Sequence, residues 1–227
     1  MEHDNNLDFA KIKYTERWFA HLDLMGFSNL VVKGGIDDVL EAYEKALEAL
    51  EEKVAIHKGS GVSHTWFSDT FLIFSQGKSE EEFKIVEQIT RLFFQQLIYN
   101  KIPVRGAITY GGFYSQKRKN LFVGPALVDS YQYGEDQKWV GLIITPSAVK
   151  QLDDLSASKL YKSYFPIPNT VMRKKHSPII RGYKFQDGRI NKARNGLVEC
   201  LKEMMNVAPE DIKHKYQLAI EFATEDS

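Results

Sequence analysis

Two short apolar segments separated by only two residues limit the folds that this chain can adopt. Residues 62–67 (VSHTWF) and 70–75 (TFLIFS) are rich in aromatic and β-branched side chains, which is typical of strands. Only Ser68 and Asp69 join them, whereas parallel strands need a crossover of a dozen residues or more. The two segments are therefore predicted to form an antiparallel hairpin with an acid in its turn.

Helices and strands alternate around this hairpin in an order that predicts an α+β fold. A strand is predicted over residues 17–24, and apolar residues spaced by three and four predict a helix over residues 36–57. Ser79 and Glu82 form a capping box that begins a second helix, and a strand over residues 103–112 follows it. The order β-α-β-β-α-β is the ferredoxin-like plan, an antiparallel-rich central sheet with helices packed on one side.

Signals for secondary structure weaken towards the C-terminus. The further predicted elements are a helix over residues 124–134, a strand over 139–145, a short helix over 146–152, a strand over 179–185, and helices over 191–205 and 208–223. We therefore divide the chain into a core over residues 16–152 and a C-terminal extension over residues 153–227. The extension is expected either to pack on the core or to form a dimer arm.

Charge and hydropathy exclude several classes of protein. The 30 basic and 30 acidic side chains give a formal net charge of +0, so nothing in the total charge favours nucleic acid or a membrane surface. No apolar run approaches the roughly 20 residues that cross a bilayer, and the N-terminal residues lack the apolar region of a signal peptide. Cys200 is the only cysteine, which excludes an internal disulfide. We expect a cytoplasmic protein that binds neither nucleic acid nor membrane.

Two acids, Asp23 and Asp69, occupy positions that the predicted fold brings close together. Asp23 ends the first strand and Asp69 lies in the hairpin turn, and these elements are neighbours in a β-α-β-β arrangement. Two carboxylates with room for water and phosphate suit Mg²⁺ or Mn²⁺. By residue type alone, Asp23 could equally cap the following segment and Asp69 could form the turn. The residues themselves leave the metal site and the two local roles open.

Four motifs, taken in order, resemble those of the class III nucleotidyl cyclase catalytic domain. They are residues 19–30 (FAHLDLMGFSNL), 66–74 (WFSDTFLIF), 104–112 (VRGAITYGG) and 122–127 (FVGPAL). They are most similar to the bacterial pyrimidine cyclases of Pycsar antiphage systems, the uridylate and cytidylate cyclases. Each motif alone is weak, and it is their order along residues 16–152 that makes the resemblance specific.

The resemblance implies a two-metal enzyme that acts on a nucleoside triphosphate. It would convert UTP or CTP to the 3′,5′-cyclic monophosphate and pyrophosphate. Asp23, Asp69 and the backbone carbonyl of Leu24 would hold two Mn²⁺ or Mg²⁺ ions per site, which activate the ribose 3′-hydroxyl and bind the triphosphate. Arg105 would grip the triphosphate with its guanidinium. The backbone N–H groups of Gly26, Phe27 and Ser28 would face the phosphates at the start of a helix.

The base-reading positions depart from those of purine cyclases. The lysine that those enzymes place four residues before the second metal-binding acid is replaced by Thr65, and their adenine-reading aspartate aligns near Leu121. A site without these polar partners discriminates against purines. Thr65 could bind the edge of a pyrimidine or could simply favour a strand. The sequence does not distinguish UTP from CTP.

The asparagine and arginine that the family carries on the following helix are also absent. Their positions hold Val128 and Gln132 or, one residue further along, Asp129 and Tyr133. The basic run at residues 117–119 could supply charge or could be a solvated loop tip. Whether activity requires an external trigger is left open.

The resemblance also implies partners. The family builds its site between two cyclase domains and this chain has one, so a homodimer with active sites at the interface is expected. The cyclic nucleotide would be an antiviral signal read by a separate effector. The alternative is a catalytically weak or inactive cyclase-like homodimer that binds nucleotide.

Overall fold

The computed structural model describes residues 13–152, 161–163, 171–173 and 190–224. The elements, in chain order, are β1 (Thr15–Leu24), α1 (Phe27–Lys33), α2 (Ile36–Ala55), β2 (Ser63–Phe67), β3 (Thr70–Phe74), α3 (Glu80–Tyr99), β4 (Val104–Gln116), β5 (Leu121–Val123), α4 (Pro125–Asp136), β6 (Leu142–Ile144), α5 (Pro146–Gln151), β7 (Tyr161–Ser163), β8 (Val171–Arg173), α6 (Ile190–Val207) and α7 (Lys213–Thr224). Short 3₁₀ turns span Lys117–Lys119 and Glu210–Ile212. The predicted strand over residues 179–185 lies outside the described residues.

The described strands form one sheet in the order β2-β3-β1-β4-β6-β8-β7, and β5 pairs with the end of β4. The predicted hairpin is confirmed, because β2 and β3 are antiparallel with Phe67 opposite Thr70. β1 lies between β3 and β4 and is antiparallel to both. Among the described pairings only that of β4 with β6 is parallel, so the sheet is antiparallel-rich as predicted.

Alternation along β1 separates the two faces of the sheet. Trp18, Ala20 and Leu22 point into the main core, which also contains the buried face of α3. Phe19 points the other way, into a smaller cluster with Phe113 of β4 and Ala126 of α4. The predicted α+β class, with helices packed on a central sheet, is confirmed. One helix, α4, packs on the second face because its small Ala126 fits against these two phenylalanines.

Helix α3 begins at the predicted capping box. The hydroxyl of Ser79 accepts a hydrogen bond from the backbone N–H of Glu82 at 3.3 Å, and the Glu82 carboxylate accepts from the Ser79 N–H at 3.0 Å. The indole N–H of Trp18 donates to the Ser79 carbonyl at 2.8 Å. A cap of this kind contributes about 1 kcal/mol and here also joins α3 to β1.

The C-terminal helices pack on the core. α6 contacts α3, and the ring of Phe222 on α7 lies edge-on to Trp139 with 5.3 Å between centroids. The Val140 N–H donates to the Lys215 carbonyl at 3.2 Å, so residues 139 and 140 contact α7 and the predicted strand shortens to β6. The division at residue 153 stays a prediction. No described helix is both long and apolar enough to cross a bilayer.

Candidate active site

The end of β1 and the hairpin turn meet at one edge of the sheet. Asp23 lies opposite Thr70 on one side and opposite Arg105 on the other. The Leu24 N–H donates to the backbone carbonyl of Asp69 at 3.0 Å, which fixes the turn beside Asp23. The two carboxylates interact electrostatically. The structure therefore brings together the two acids of the predicted metal site.

The carboxyl of Asp23 is half-buried between charges of both signs. Burial raises the pKa of Asp23 to about 6, the positive charge of Arg105 opposes this rise, and the negative charge of Asp69 adds to it. Among the described residues no cluster of three or more His, Cys, Asp or Glu side chains meets. A divalent ion here would have two carboxylates, completed by backbone oxygen, water and phosphate, which is a usual donor set for Mg²⁺. The side chains fit such an ion, and the carbonyl of Leu24 stays a predicted ligand.

Arg105 is bonded to two acids. Its Nε lies 3.2 Å from Oδ2 of Asp23, and its Nη1 donates to the backbone carbonyl of Glu135 at 3.2 Å. Its Nη2 also forms an ion pair with the Glu135 carboxylate. No sequence motif marks Glu135. The signal that could have revealed it is an acid in the last turn of a helix, where the helix dipole disfavours negative charge.

A tyrosine on α2 holds the hairpin turn. Ser68 adopts a left-handed conformation with φ 53°, and its carbonyl accepts a hydrogen bond from the Tyr43 hydroxyl. The Tyr43 ring packs edge-on against Phe27 with 5.1 Å between centroids. Tyr43 is one of the apolar residues whose spacing of three and four predicts the helix, and that spacing gives no sign of its polar contact.

The turn between β1 and α1 depends on Gly26. This residue has φ +77°, a conformation that glycine adopts without strain. The Met25 N–H donates to the Pro103 carbonyl at 2.8 Å and is thus satisfied within the chain. Gly26, Phe27 and Ser28 remain the predicted phosphate-facing residues; Phe27 has a buried side chain, whereas Ser28 is exposed.

Thr65 lies on the same face of the sheet as Asp23. It is opposite Leu72, which is opposite His21, and paired residues share a face. Thr65 is half-buried, so a ligand can reach it. His21 is buried, and its burial lowers its pKa to about 4, so the ring is neutral at pH 7. A neutral, buried ring fits a structural role better than a charged contact to phosphate.

Helix α4 is fixed by Asp129. Its Oδ2 accepts hydrogen bonds from Thr109 of β4 and, at 2.7 Å, from the hydroxyl of Ser147 on α5. Val128 and Gln132 are exposed. Neither of the two possible alignments places a cation on this helix, and Asp129 serves the attachment of α4 to the sheet.

The basic turn Lys117–Lys119 is exposed. The Lys117 ammonium is 6.0 Å from the ring centroid of Phe74. Phe74 is opposite Phe19. Phe19 precedes Asp23 by four residues, which is about 13 Å along a strand. The basic turn therefore lies at a distance from Asp23 of the same chain.

Comparisons with known proteins identify the fold. No family model matches the chain, and no curated protein matches it. The guanylyl cyclase domain of the RhoGC fusion protein from the aquatic fungus Blastocladiella emersonii is similar in structure, with a TM-score of 0.55 and 12% identity over 70% of this chain and 94% of that chain. The catalytic core of a rhodopsin-guanylyl cyclase with converted specificity, solved with ATPαS, gives 0.55 and 13% over 71% and 98%.

A bacterial light-regulated adenylyl cyclase gives a TM-score of 0.52 and 13% identity over 81% of this chain. The chain spans 58% of that protein's length. At these identities the similarity concerns the fold alone. The chain has the fold of class III adenylyl and guanylyl cyclase catalytic domains.

Proposed function

We propose that this protein is a nucleotidyl cyclase that converts UTP or CTP to its 3′,5′-cyclic monophosphate and pyrophosphate. The observation that carries the proposal is the convergence of Asp23 and Asp69 at one edge of a cyclase-type sheet. Burial, together with the nearby charge of Asp69, makes the ionised form of Asp23 unfavourable although Arg105 contacts it, and a further cation between the two acids would stabilise that form.

Each side chain has a role in this reaction. Asp23 and Asp69, with the Leu24 carbonyl, would hold two Mn²⁺ or Mg²⁺ ions. Such ions supply Lewis acidity to the ribose 3′-hydroxyl and to the triphosphate. Arg105 orients the triphosphate through charge-assisted hydrogen bonds. The backbone N–H groups of residues 26–28 donate hydrogen bonds to phosphate oxygens.

Pyrimidine selectivity rests on Thr65. A hydroxyl both donates and accepts, so it can pair with the O4 of uracil or the N4–H₂ of cytosine. It is shorter than the lysine of purine cyclases and lies half-buried on the face that carries Asp23. Because the hydroxyl can both donate and accept a hydrogen bond, Thr65 alone does not select between the two pyrimidines.

The proposed enzyme is a homodimer. Three large apolar side chains, Phe67, Val128 and Tyr131, are 77%, 56% and 53% exposed. Phe67 is opposite Thr70, which is opposite Asp23, so Phe67 lies beside the site. A second copy would cover these side chains and complete a site that lacks a transition-state cation on its own α4. The cyclic product would act as an antiphage signal, read by a separate effector.

The test is product analysis. The purified protein is incubated with each of the four nucleoside triphosphates and Mn²⁺, and the products are separated by mass. The proposal expects a cyclic product from one pyrimidine triphosphate, lost in Asp69→Asn and kept in Asp136→Asn, a matched loss of one exposed acid. Absence of turnover together with metal-dependent nucleotide binding would instead support the inactive cyclase-like homodimer.

A further inference from the structure

The Arg105 guanidinium connects three elements of the described structure. It lies on β4, its Nε contacts Asp23 of β1, and its Nη1 and Nη2 contact the carbonyl and carboxylate of Glu135 on α4. The Arg105 side chain is 17% exposed, so water screens these contacts only partly. The cation is thus shared between one predicted metal ligand and one acid that has no assigned role.

Glu135 is an unfavourable residue for its position in the helix. The last turn of α4 carries Glu135 and Asp136 and no basic residue, although the helix dipole favours cations there. The Glu135 carbonyl is also one of the last four of the helix, which have no partner within it. Arg105 offsets both costs, since it bonds this carbonyl and neutralises the carboxylate.

We infer that Glu135 is a positioning residue that holds Arg105 at the edge of the site and so leaves Asp23 available to a divalent cation. The inference rests on the proposed function. Without Glu135, Asp23 would be the only carboxylate among the described residues in contact with Arg105, and a guanidinium competes with a metal ion for the same oxygens. With Glu135 present, Arg105 keeps a bonded carboxylate when Asp23 turns to the cation, and stays oriented towards the phosphates.

The test measures Mn²⁺ binding to the full chain without nucleotide, from the decrease in the electron paramagnetic resonance signal of free Mn²⁺. Glu135→Gln is nearly isosteric and removes only the charge. Its Kd for Mn²⁺ should rise about tenfold, the lower end of what loss of an outer partner costs a metal site. The matched control is Asp136→Asn, which removes a neighbouring exposed charge and should change Kd by less than about twofold.

The same substitution in a protein that lacks Arg105 distinguishes a positioning role of Glu135 from a direct effect of Glu135 on the ion. If Glu135 acts through Arg105, then in an Arg105→Gln protein the further change Glu135→Gln should alter Kd by less than about twofold. A tenfold effect that persists there would overturn the positioning role. The positioning role would also be overturned if the Glu135→Gln protein bound Mn²⁺ as tightly as the Asp136→Asn protein, even if its Tm were lower. That result would leave the proposed function intact. Wild-type protein that binds no Mn²⁺ without nucleotide would overturn the positioning role, and the product analysis described above would still decide the proposed function.

Discussion

Asp23 is the residue at which stability and proposed function conflict. Its side chain is 17% exposed, and burial raises its pKa from 3.8 to about 6. The folded pKa lies above the unfolded one, so the stability associated with this group is greatest below pH 3.8 and decreases as pH rises through 6. Around pH 7 the ionised carboxylate costs free energy, with an upper bound of about 3 kcal/mol.

We therefore expect Asp23→Asn to stabilise the metal-free protein at pH 7 by about 1–2 kcal/mol. Each kcal/mol should raise Tm by roughly 2–4 °C in a chain of this length. The gain should shrink at pH 5, where the native carboxylate is mostly protonated. Thermal unfolding at both pH values in chelator measures it. Mn²⁺ should raise Tm of the wild type and not of the variant; an equal rise in both would show that Asp23 does not bind the ion.

Tyr43 affects the site through the turn that carries Asp69. Tyr43→Phe keeps the ring against Phe27 and removes only the hydrogen bond to the Ser68 carbonyl. We expect a loss of about 0.5–1 kcal/mol in the free energy of unfolding and a larger relative loss in kcat/KM, because the turn is less firmly positioned. Urea unfolding and steady-state kinetics measure the two effects. Unchanged kcat/KM would show that the turn needs no such support.

At the scale of elements, α4 is attached to the sheet by polar contacts as well as by the packing of Ala126 in the smaller apolar cluster. Asp129 accepts hydrogen bonds from Thr109 and Ser147, and Thr145 donates to Thr109 at 3.0 Å. Thr109 and Thr145 are buried. Removal of the shared acceptor leaves buried hydroxyls with fewer partners, which is costly.

Asp129→Ala should lower the free energy of unfolding by about 2 kcal/mol, whereas Gln132→Ala, on the exposed side of the same helix, should change it by less than about 0.5 kcal/mol. Hydrogen exchange should show the loss concentrated in α4 and α5. Equal effects of the two substitutions would mean that the polar cluster contributes nothing to the attachment of α4.

The sequence predicted the elements whose signals are local. Two residues between β2 and β3 leave no choice but a hairpin, and the Ser79–Glu82 box marks the start of α3. The pairing of Asp23 with the hairpin turn followed from the order of elements. The contacts of Glu135 and Tyr43 could not be predicted, because they join residues 30 and 25 positions apart and depend on how α4 and α2 pack; only the unfavourable place of Glu135 in its helix was visible in the sequence.

At the scale of the whole molecule, the exposed apolar side chains predict association. Val128→Glu places a charge on the exposed side of α4, one helical turn before the exposed Tyr131, and burying an unpaired charge in an interface costs several kcal/mol. We expect the variant to sediment as a monomer with an unchanged Tm at low concentration and with little activity. Wild-type protein that is monomeric at micromolar concentration and fully active would contradict the dimer.

The central claim is that the Asp23–Asp69 site cyclises pyrimidine nucleotides, and competition tests it most directly. Equimolar ATP, GTP, CTP and UTP are supplied together with Mn²⁺, and the cyclic products are quantified by mass, which reports the ratios of kcat/KM. We predict one pyrimidine product in at least about tenfold excess over any purine product. A dominant purine cyclic nucleotide, or no cyclic product from any of the four, would contradict it.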